Sequence, residues 1–258
     1  MDEKKLLDIL FDREVEIEKG IKLYIPTVKE AAYSDRFGIS STLFTIETRD
    51  LFAALRDVNE LASRFPYIWD IMRDPDWDAQ VGVLFGEEDK ALSDLFIEAL
   101  AYWTRLDANN FVKLGNGKIM HVDPDWILDR EDLLEFSNII KTITNYTPPE
   151  QSTPDFTSDK AYNMWKSIYE GRRKQQQRRA LTWVDKILIL SISTPEYMKP
   201  SEIAQMSVFD FYQLFSGLSK KDAYDIKMAY QMSSKYKGDE KGVKHWKEQY
   251  KVNVYGNK

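Results

Sequence analysis

The spacing of apolar residues changes between the helical period and the strand period along the first 150 positions. Glu3–Phe11 follows the helical period and predicts a short helix. Apolar and polar residues then alternate over 15–17 and 21–25, on either side of Gly20. Because alternation places one face of a strand on a core and glycine supplies the positive φ of a tight turn, this tract predicts a β-hairpin. Helices are predicted next at 28–37, 48–63 and 67–72.

Two longer helices show a single apolar face. The first covers residues 87–106, and its apolar residues recur at i, i+3, i+4, i+7, i+8 and i+11: Leu92, Leu95, Phe96, Ala99, Leu100 and Trp103. The second covers residues 129–144, and its apolar face consists of Phe136, Ile139, Ile140 and Ile143. Both faces are expected to lie on the core.

A second hairpin is predicted between these helices. Strands at 111–114 and 118–122 flank Gly115-Asn-Gly117, a typical turn sequence. The tetrapeptide Asp-Pro-Asp-Trp occurs at 74–77 and again at 123–126. Each copy is interpreted as a helix start, with Asp as the cap and Pro in the first turn, rather than as an internal repeat, because the flanking residues do not match.

The periodic pattern of apolar residues stops after residue 146. Residues 147–155 are rich in Pro, Ser and Thr and have no periodicity, which predicts a stiff linker. Helices are predicted beyond it at 160–179, 182–193 and 200–205, and the intensely apolar 182–193 is expected to be the core helix. Capping boxes at Ser207 and Ser219 predict two further helices, 208–215 and 220–236, with Gly217 between them.

These elements predict an α+β fold that is predominantly helical. An acidic α+β domain at 1–146 carries both hairpins, and a basic all-helical domain at 156–258 ends in a frayed tail. Residues 1–150 carry 17 Lys and Arg against 30 Asp and Glu, whereas residues 151–258 carry 19 against 12. Such asymmetry indicates either two regions that attract each other or neighbouring copies, or charge that serves only solubility.

Composition favours a cytosolic protein. The longest apolar run, around residues 187–190, is far shorter than the roughly 20 residues of a membrane helix. Residues 2–5 are all charged, unlike the start of a signal peptide. The chain of 258 residues has no cysteine, which excludes disulfides, thiol catalysis and zinc–thiolate sites.

No pattern in the sequence indicates a catalytic, cofactor or metal site. Asp74, Asp76 and Asp78 have calcium-loop spacing, but Ala79 and Phe85 stand where that loop needs glycine and glutamate. There are two histidines, no glycine-rich phosphate loop and no nucleophile elbow around a serine. The protein is therefore predicted not to be an enzyme.

Two features favour binding of another macromolecule. The run at 172–179 holds five basic residues in eight positions, including Arg172, Arg173, Arg178 and Arg179. It suits a solvated helix face, an acidic protein surface or, as the main alternative, nucleic-acid phosphates. Aromatic residues and Met are frequent in the C-terminal helices, which indicates either a Tyr-rich core or an interface. In the second case the residues that do not fit one core stripe are predicted to contact a partner: Phe211, Tyr230, Met232 and Tyr236.

Four tracts, at 21–28, 84–88, 127–136 and 200–215, resemble proteins from the tail-gene region of phages of Gram-positive bacteria. The resemblance implies a chaperone-like tail assembly factor in the host cytoplasm, which binds a tail-tube or tape-measure protein before polymerisation. It is equally compatible with a minor structural component of the virion tail. It implies no catalytic residue and no cofactor, and homo-oligomers are compatible with it.

Overall fold

The computed structural model describes residues 1–17, 20–115, 117–123, 125–148, 154, 156, 158–232, 245–249 and 251–256. Within these ranges the fold is mostly helical, with two small antiparallel sheets in the N-terminal half and helices in the C-terminal part. The predicted α+β, predominantly helical class is therefore confirmed.

The first hairpin forms as predicted. Helix α1, Glu3–Phe11, precedes strands β1, Glu14–Glu16, and β2, Lys22–Tyr24. Val15 pairs with Leu23 in the antiparallel register, and both side chains are buried. Gly20 has a φ of +79°, the left-handed conformation that the turn requires.

Short helices connect this hairpin to the long helix α7. They are α2 (Val28–Tyr33), α3 (Asp35–Thr45), α4 (Thr48–Leu51), α5 (Val58–Arg64), a 3-10 turn (Ile68–Arg73), α6 (Pro75–Val81) and a second 3-10 turn (Gly82–Phe85). The predictions of continuous helices at 28–37 and 48–63 are wrong. Ser34 is extended, and its hydroxyl accepts the N–H groups of Arg36 and Phe37, which starts a new helix.

Helix α7, Leu92–Thr104, is shorter than the predicted 87–106. It begins late because residues 86–91 form a turn in which Gly86 has a φ of +79°, and the Asp94 carboxylate accepts the N–H of Ala91. It ends at Arg105, which is left-handed. All six residues of the predicted apolar stripe are buried, so the assignment of its inward face is confirmed.

The second sheet has three strands rather than the predicted two. After a 3-10 turn at Ala108–Asn110, β3 (Phe111–Lys113), β4 (Ile119–His121) and β5 (Trp126–Leu128) form an antiparallel meander. The prediction of a helix start at 123–126 is wrong, because Trp126 pairs with His121 and its indole is fully buried. The copy at 74–77 does start a helix, since Asp74 accepts the N–H of Trp77.

Helix α8, Arg130–Ile143, completes the N-terminal part. Asp129 caps it by accepting the N–H groups of Glu131 and Asp132. Its predicted apolar face is buried, and Phe136 stacks between Phe44 and Trp126 at centroid distances of 5.6 and 5.8 Å. The main core therefore lies between α3, α7, α8 and the second sheet.

The remaining elements are helical in the described residues. They are α9 (Asp159–Arg179), α10 (Trp183–Ser193), α11 (Pro200–Ile203), α12 (Val208–Met232) and α13 (Trp246–Gln249). Ser207 caps α12 as predicted, since its hydroxyl accepts the N–H of Asp210. The second capping box is wrong: α12 runs through residue 219, and the Ser219 hydroxyl donates to the carbonyl of Phe215 within the helix.

Apolar contacts join α12 to the N-terminal elements. Val208 and Phe209 belong to the main core, and the N–H of Val208 donates to the carbonyl of Pro26 at 2.9 Å. Residues 251–256, in the tail that the sequence predicts to fray, lie near the end of α8, where the Tyr255 hydroxyl donates to the carbonyl of Tyr146. Most of the predicted linker lies outside the described residues, so the division into two domains stays a prediction.

Candidate functional site

Helix α10 is not the core helix that its composition predicts. Only Leu190 and Ser191 among its residues are buried. Leu190 packs in a small apolar cluster with Val28, Ile203 and Phe211, and Trp183 and Ile187 lie partly buried beside it. The cluster covers one side of α10 and leaves the opposite side to solvent.

The outward side of α10 is apolar as well. Three large side chains on this side are exposed to solvent, Val184 by 65%, Leu188 by 52% and Ile192 by 75%, and Leu181, just before the Thr182 cap, is exposed by 44%. The spacing i, i+4 and i+8 places the three helical residues on one face. We call these four residues the α10 stripe. Scattered exposed apolar residues are common on protein surfaces, whereas an aligned set of this kind is typical of an interaction surface.

The N-terminal end of α10 is held in place by aromatic packing. The Trp183 ring lies 5.8 Å from Phe37 and 5.6 Å from Phe211, measured between centroids. The Lys186 ammonium lies over the rings of Trp183 and Tyr212, and burial lowers the pKa of this lysine. The orientation of the α10 stripe therefore follows from the fixed packing of the opposite face.

A capping box closes the same end of the helix. The Thr182 hydroxyl donates to the Asp185 carboxylate at 2.7 Å, the Thr182 N–H donates to the same oxygen at 2.9 Å, and the Asp185 N–H donates back to the Thr182 oxygen. The two hydrogen bonds that the carboxylate accepts, that from the hydroxyl first, hold the pKa of Asp185 below its usual 3.8.

We expect the Asp185 carboxyl to titrate below 3.8 in a residue-resolved NMR titration. A depressed folded-state pKa contributes stability that is present above the unfolded value and is lost as pH falls through the folded value. The α10 cap should therefore weaken only below about pH 4. In Thr182→Val the Asp185 pKa should rise toward 3.8, because the hydroxyl that donates to the carboxylate is lost. An unchanged titration in that variant would contradict the capping assignment.

The four arginines predicted to bind a partner lie in the last turns of α9 and are all exposed. No residue of α9 is buried. The helix is attached at its start, where the Tyr162 hydroxyl donates to the carbonyl of Ala54 at 2.6 Å and Asp159 forms an ion pair with Arg56. Arg172 and Arg173 line a cleft of about 720 Å³ whose opposite wall includes Asp50 and Tyr146. Arg178 and Arg179 directly precede the α10 stripe.

The predicted aromatic and Met positions divide into two groups. Phe211 is fully buried against Trp183 and Leu190, so the prediction that it is exposed is wrong. Its face of α12 meets α10, a packing partner that the sequence does not reveal. Tyr230 and Met232 are exposed at the end of α12, and Tyr236 lies outside the described residues.

The α10 stripe was missed because α10 is apolar on both faces. Trp183, Ile187 and Leu190 match the helical period as well as the stripe residues do, so the pattern alone predicts a helix surrounded by core. The feature of the sequence that could have indicated an uncovered face is the short length of the apolar tract that forms α10. The helices around this 11-residue helix are amphipathic or polar, so few elements can cover it on all sides.

The described residues also limit the chemistry. They contain no group of three or more His, Asp or Glu side chains that could hold a metal ion. His121 is buried edge-on against Phe111, and its Nδ1 accepts the N–H of Asp123 at 3.2 Å. None of the helices in the described ranges has the length and apolar content that a bilayer crossing requires.

Similarity to known proteins does not identify the surface formed by the α10 stripe and the neighbouring arginines. No protein-family model matches the sequence, and no curated protein or solved structure is significantly similar to it.

Proposed function

We propose that this protein is a non-catalytic assembly factor that binds an apolar segment of another protein. The α10 stripe is the observation that carries the proposal, because three aligned apolar side chains on a helix whose other face is packed remain exposed, as does Leu181 just before its cap. An amphipathic client helix could lie along such a stripe through positions i, i+3, i+4 and i+7. Binding would remove both apolar surfaces from water, which is the main driving force for such association.

The surroundings of the α10 stripe favour a client with acidic flanks. Arg178 and Arg179 directly precede the stripe, and Arg172 and Arg173 lie two turns earlier on α9. Opposite charges at the rim of an apolar contact raise the association rate and select the partner more than they raise affinity. Tyr230 and Met232 add exposed side chains of the types that adapt to different partners.

The client that we propose is a phage tail protein, either the tail-tube or the tape-measure protein, held in the host cytoplasm before it polymerises. The support is the resemblance of the tracts at 21–28, 84–88, 127–136 and 200–215 to phage tail-region proteins. A minor structural component of the virion tail would share the same surface. Nucleic-acid binding through the arginine run is a second candidate, because all four arginines are exposed on one helix.

Co-purification from infected or co-expressing cells tests the proposal. The variant Leu188→Glu with Ile192→Glu should capture at least tenfold less client, since it places two charges on the α10 stripe. The matched control is Val83→Glu with Leu84→Glu, an equally exposed apolar pair elsewhere on the chain. Capture of the same tail protein by wild type and control, but not by the stripe variant, supports the proposal. Equal capture by all three contradicts it.

Purified virions and a salt series separate the alternatives. Absence from virions supports an assembly factor, whereas a fixed copy number would favour a structural tail component. If the arginines bind phosphates, affinity for DNA should fall steeply with salt and disappear when Arg172, Arg173, Arg178 and Arg179 are replaced by Gln. We expect no such binding at physiological salt, because the net charge is −6, and we expect the same replacements to weaken client capture.

A further inference from the structure

A second unpartnered apolar face lies on α1. Leu7, Leu10 and Phe11 are exposed by 45%, 44% and 72%, and their spacing of i, i+3 and i+4 places them on one side of the helix. Ile9, on the opposite side, is buried in the main core. As in α10, one face is packed and the other leaves large apolar side chains in water.

The charges around the two faces are opposite. Acidic side chains flank the α1 face: Glu3, Asp8 and, at the C-cap, Asp12. Of the basic residues within α1, Lys5 is paired with Glu135, which leaves Lys4 as the counter-charge on that helix. Arg178 and Arg179 precede the α10 stripe, against one exposed carboxylate on α10, that of Asp185, and this contrast follows the acidic and basic halves of the chain.

We propose that the α1 face of one copy of this protein docks on the α10 stripe of a second copy, head to tail. Charge complementarity selects this occupant. A symmetric contact between two α10 stripes would pair two surfaces of the same net basic charge, whereas the α1 contact brings an acidic rim to a basic one. Both faces present apolar side chains over about one to two helical turns, so the helices can pack along their length.

A head-to-tail contact allows more than two copies to associate. It uses two different patches, so a bound pair keeps one free patch at each end, and short chains of copies form. The contact involves two short helices and is therefore weak, as is expected of an interface at the small end of the size range. Salt weakens it, because the rim charges are exposed and are screened over about 10 Å at 0.1 M ionic strength.

Sedimentation velocity on the full-length protein tests the proposal with two variants. The α1 variant is Leu10→Glu with Phe11→Glu, and the α10 variant is Leu188→Glu with Ile192→Glu. Val83→Glu with Leu84→Glu is the control, because it adds the same charge at an equally exposed apolar pair. Serine versions of both test variants, together with circular dichroism, separate lost association from lost folding.

Wild type and control should show a weight-average mass that rises with concentration up to about 500 µM, and about fivefold weaker association when NaCl is raised from about 0.05 to about 0.5 M. Each test variant alone should be monomeric. An equimolar mixture of the two should recover a 1:1 dimer and nothing larger, because one variant supplies an intact α10 stripe and the other an intact α1 face. Association of the α1 variant at wild-type strength, no recovery in the mixture, or a monomeric wild type at every concentration would overturn the proposal.

The self-association proposal and the client-binding proposal can be refuted independently of each other. The α1 variant keeps an intact α10 stripe, so it should still capture a client and should do so with equal or higher apparent affinity, because copies no longer compete for the stripe. The mixing experiment uses the purified chain alone, and its outcome does not depend on which client exists.

Discussion

Trp103→Ala should destabilise the protein by about 4 kcal/mol, the largest effect we expect from a single side chain. Trp103 is fully buried on α7, where its ring packs against Phe37 and Tyr102 at centroid distances of 6.1 and 5.5 Å. Its Nε1 donates to the carbonyl of Ser40 on α3 at 3.1 Å. Truncation removes the apolar contacts, leaves a cavity between α3 and α7, and leaves a buried carbonyl without that donor.

Chemical denaturation measures this change, provided that the transition remains two-state. Trp103→Phe should fall between wild type and Trp103→Ala, because it retains most of the packing but not the hydrogen bond to Ser40. Leu188→Ala is the control on an exposed residue and should change the free energy of unfolding by less than about 1 kcal/mol. A loss below about 1 kcal/mol in Trp103→Ala would contradict the packing of α7 on α3.

Asp78→Ala should cost about 3 kcal/mol, because this buried carboxylate joins three elements. Asp78 lies on α6 and is almost wholly buried. Its oxygens accept the Ser93 N–H at 2.9 Å and the Ser93 hydroxyl at 3.0 Å, at the start of α7. The same carboxylate forms an ion pair with Lys113 on β3, whose side chain is 35% exposed. Removing the carboxylate leaves the Ser93 donors without these acceptors, while Lys113 can turn partly into solvent, which limits the loss.

A double-mutant cycle separates the two contacts of Asp78. We expect Ser93→Ala to cost about 1 kcal/mol and Lys113→Met to cost less, with a coupling energy of at least about 0.5 kcal/mol between positions 78 and 113. Asp76→Ala on the same helix is the matched control, because its side chain is exposed. Equal losses for the replacements at positions 76 and 78 would show that Asp78 does not join α6 to α7 and β3.

Local chemistry was sufficient to predict the elements whose ends and faces are determined by nearby residues. Gly20 supplies the turn of the first hairpin, and the predicted caps Asp74 and Ser207 start helices. The apolar stripes of α7 and α8 face the core. In each case the relevant hydrogen bond or periodicity lies within a few residues, so the sequence contains all of the information.

Long-range packing decided the rest. Trp126 follows Asp-Pro-Asp, which can begin a helix, but pairing with His121 makes it a strand residue instead. Ser219 could have capped a new helix, but α12 continues through it. Of the residues predicted to contact a partner, Phe211 is buried against α10 instead, whereas Tyr230 and Met232 are exposed.

The sequence by itself determined that this chain is predominantly helical, that its halves carry opposite charge and that α10 has apolar residues on two opposite faces. The tertiary structure alone decided which side of α10 is covered, because that depends on where Val28, Ile203 and Phe211 meet it in space. Apolar periodicity records which side chains avoid water, but it does not record whether the chain itself or a partner covers them. The α10 stripe is therefore a property of the fold, formed where the described part of the chain places no further element on that face.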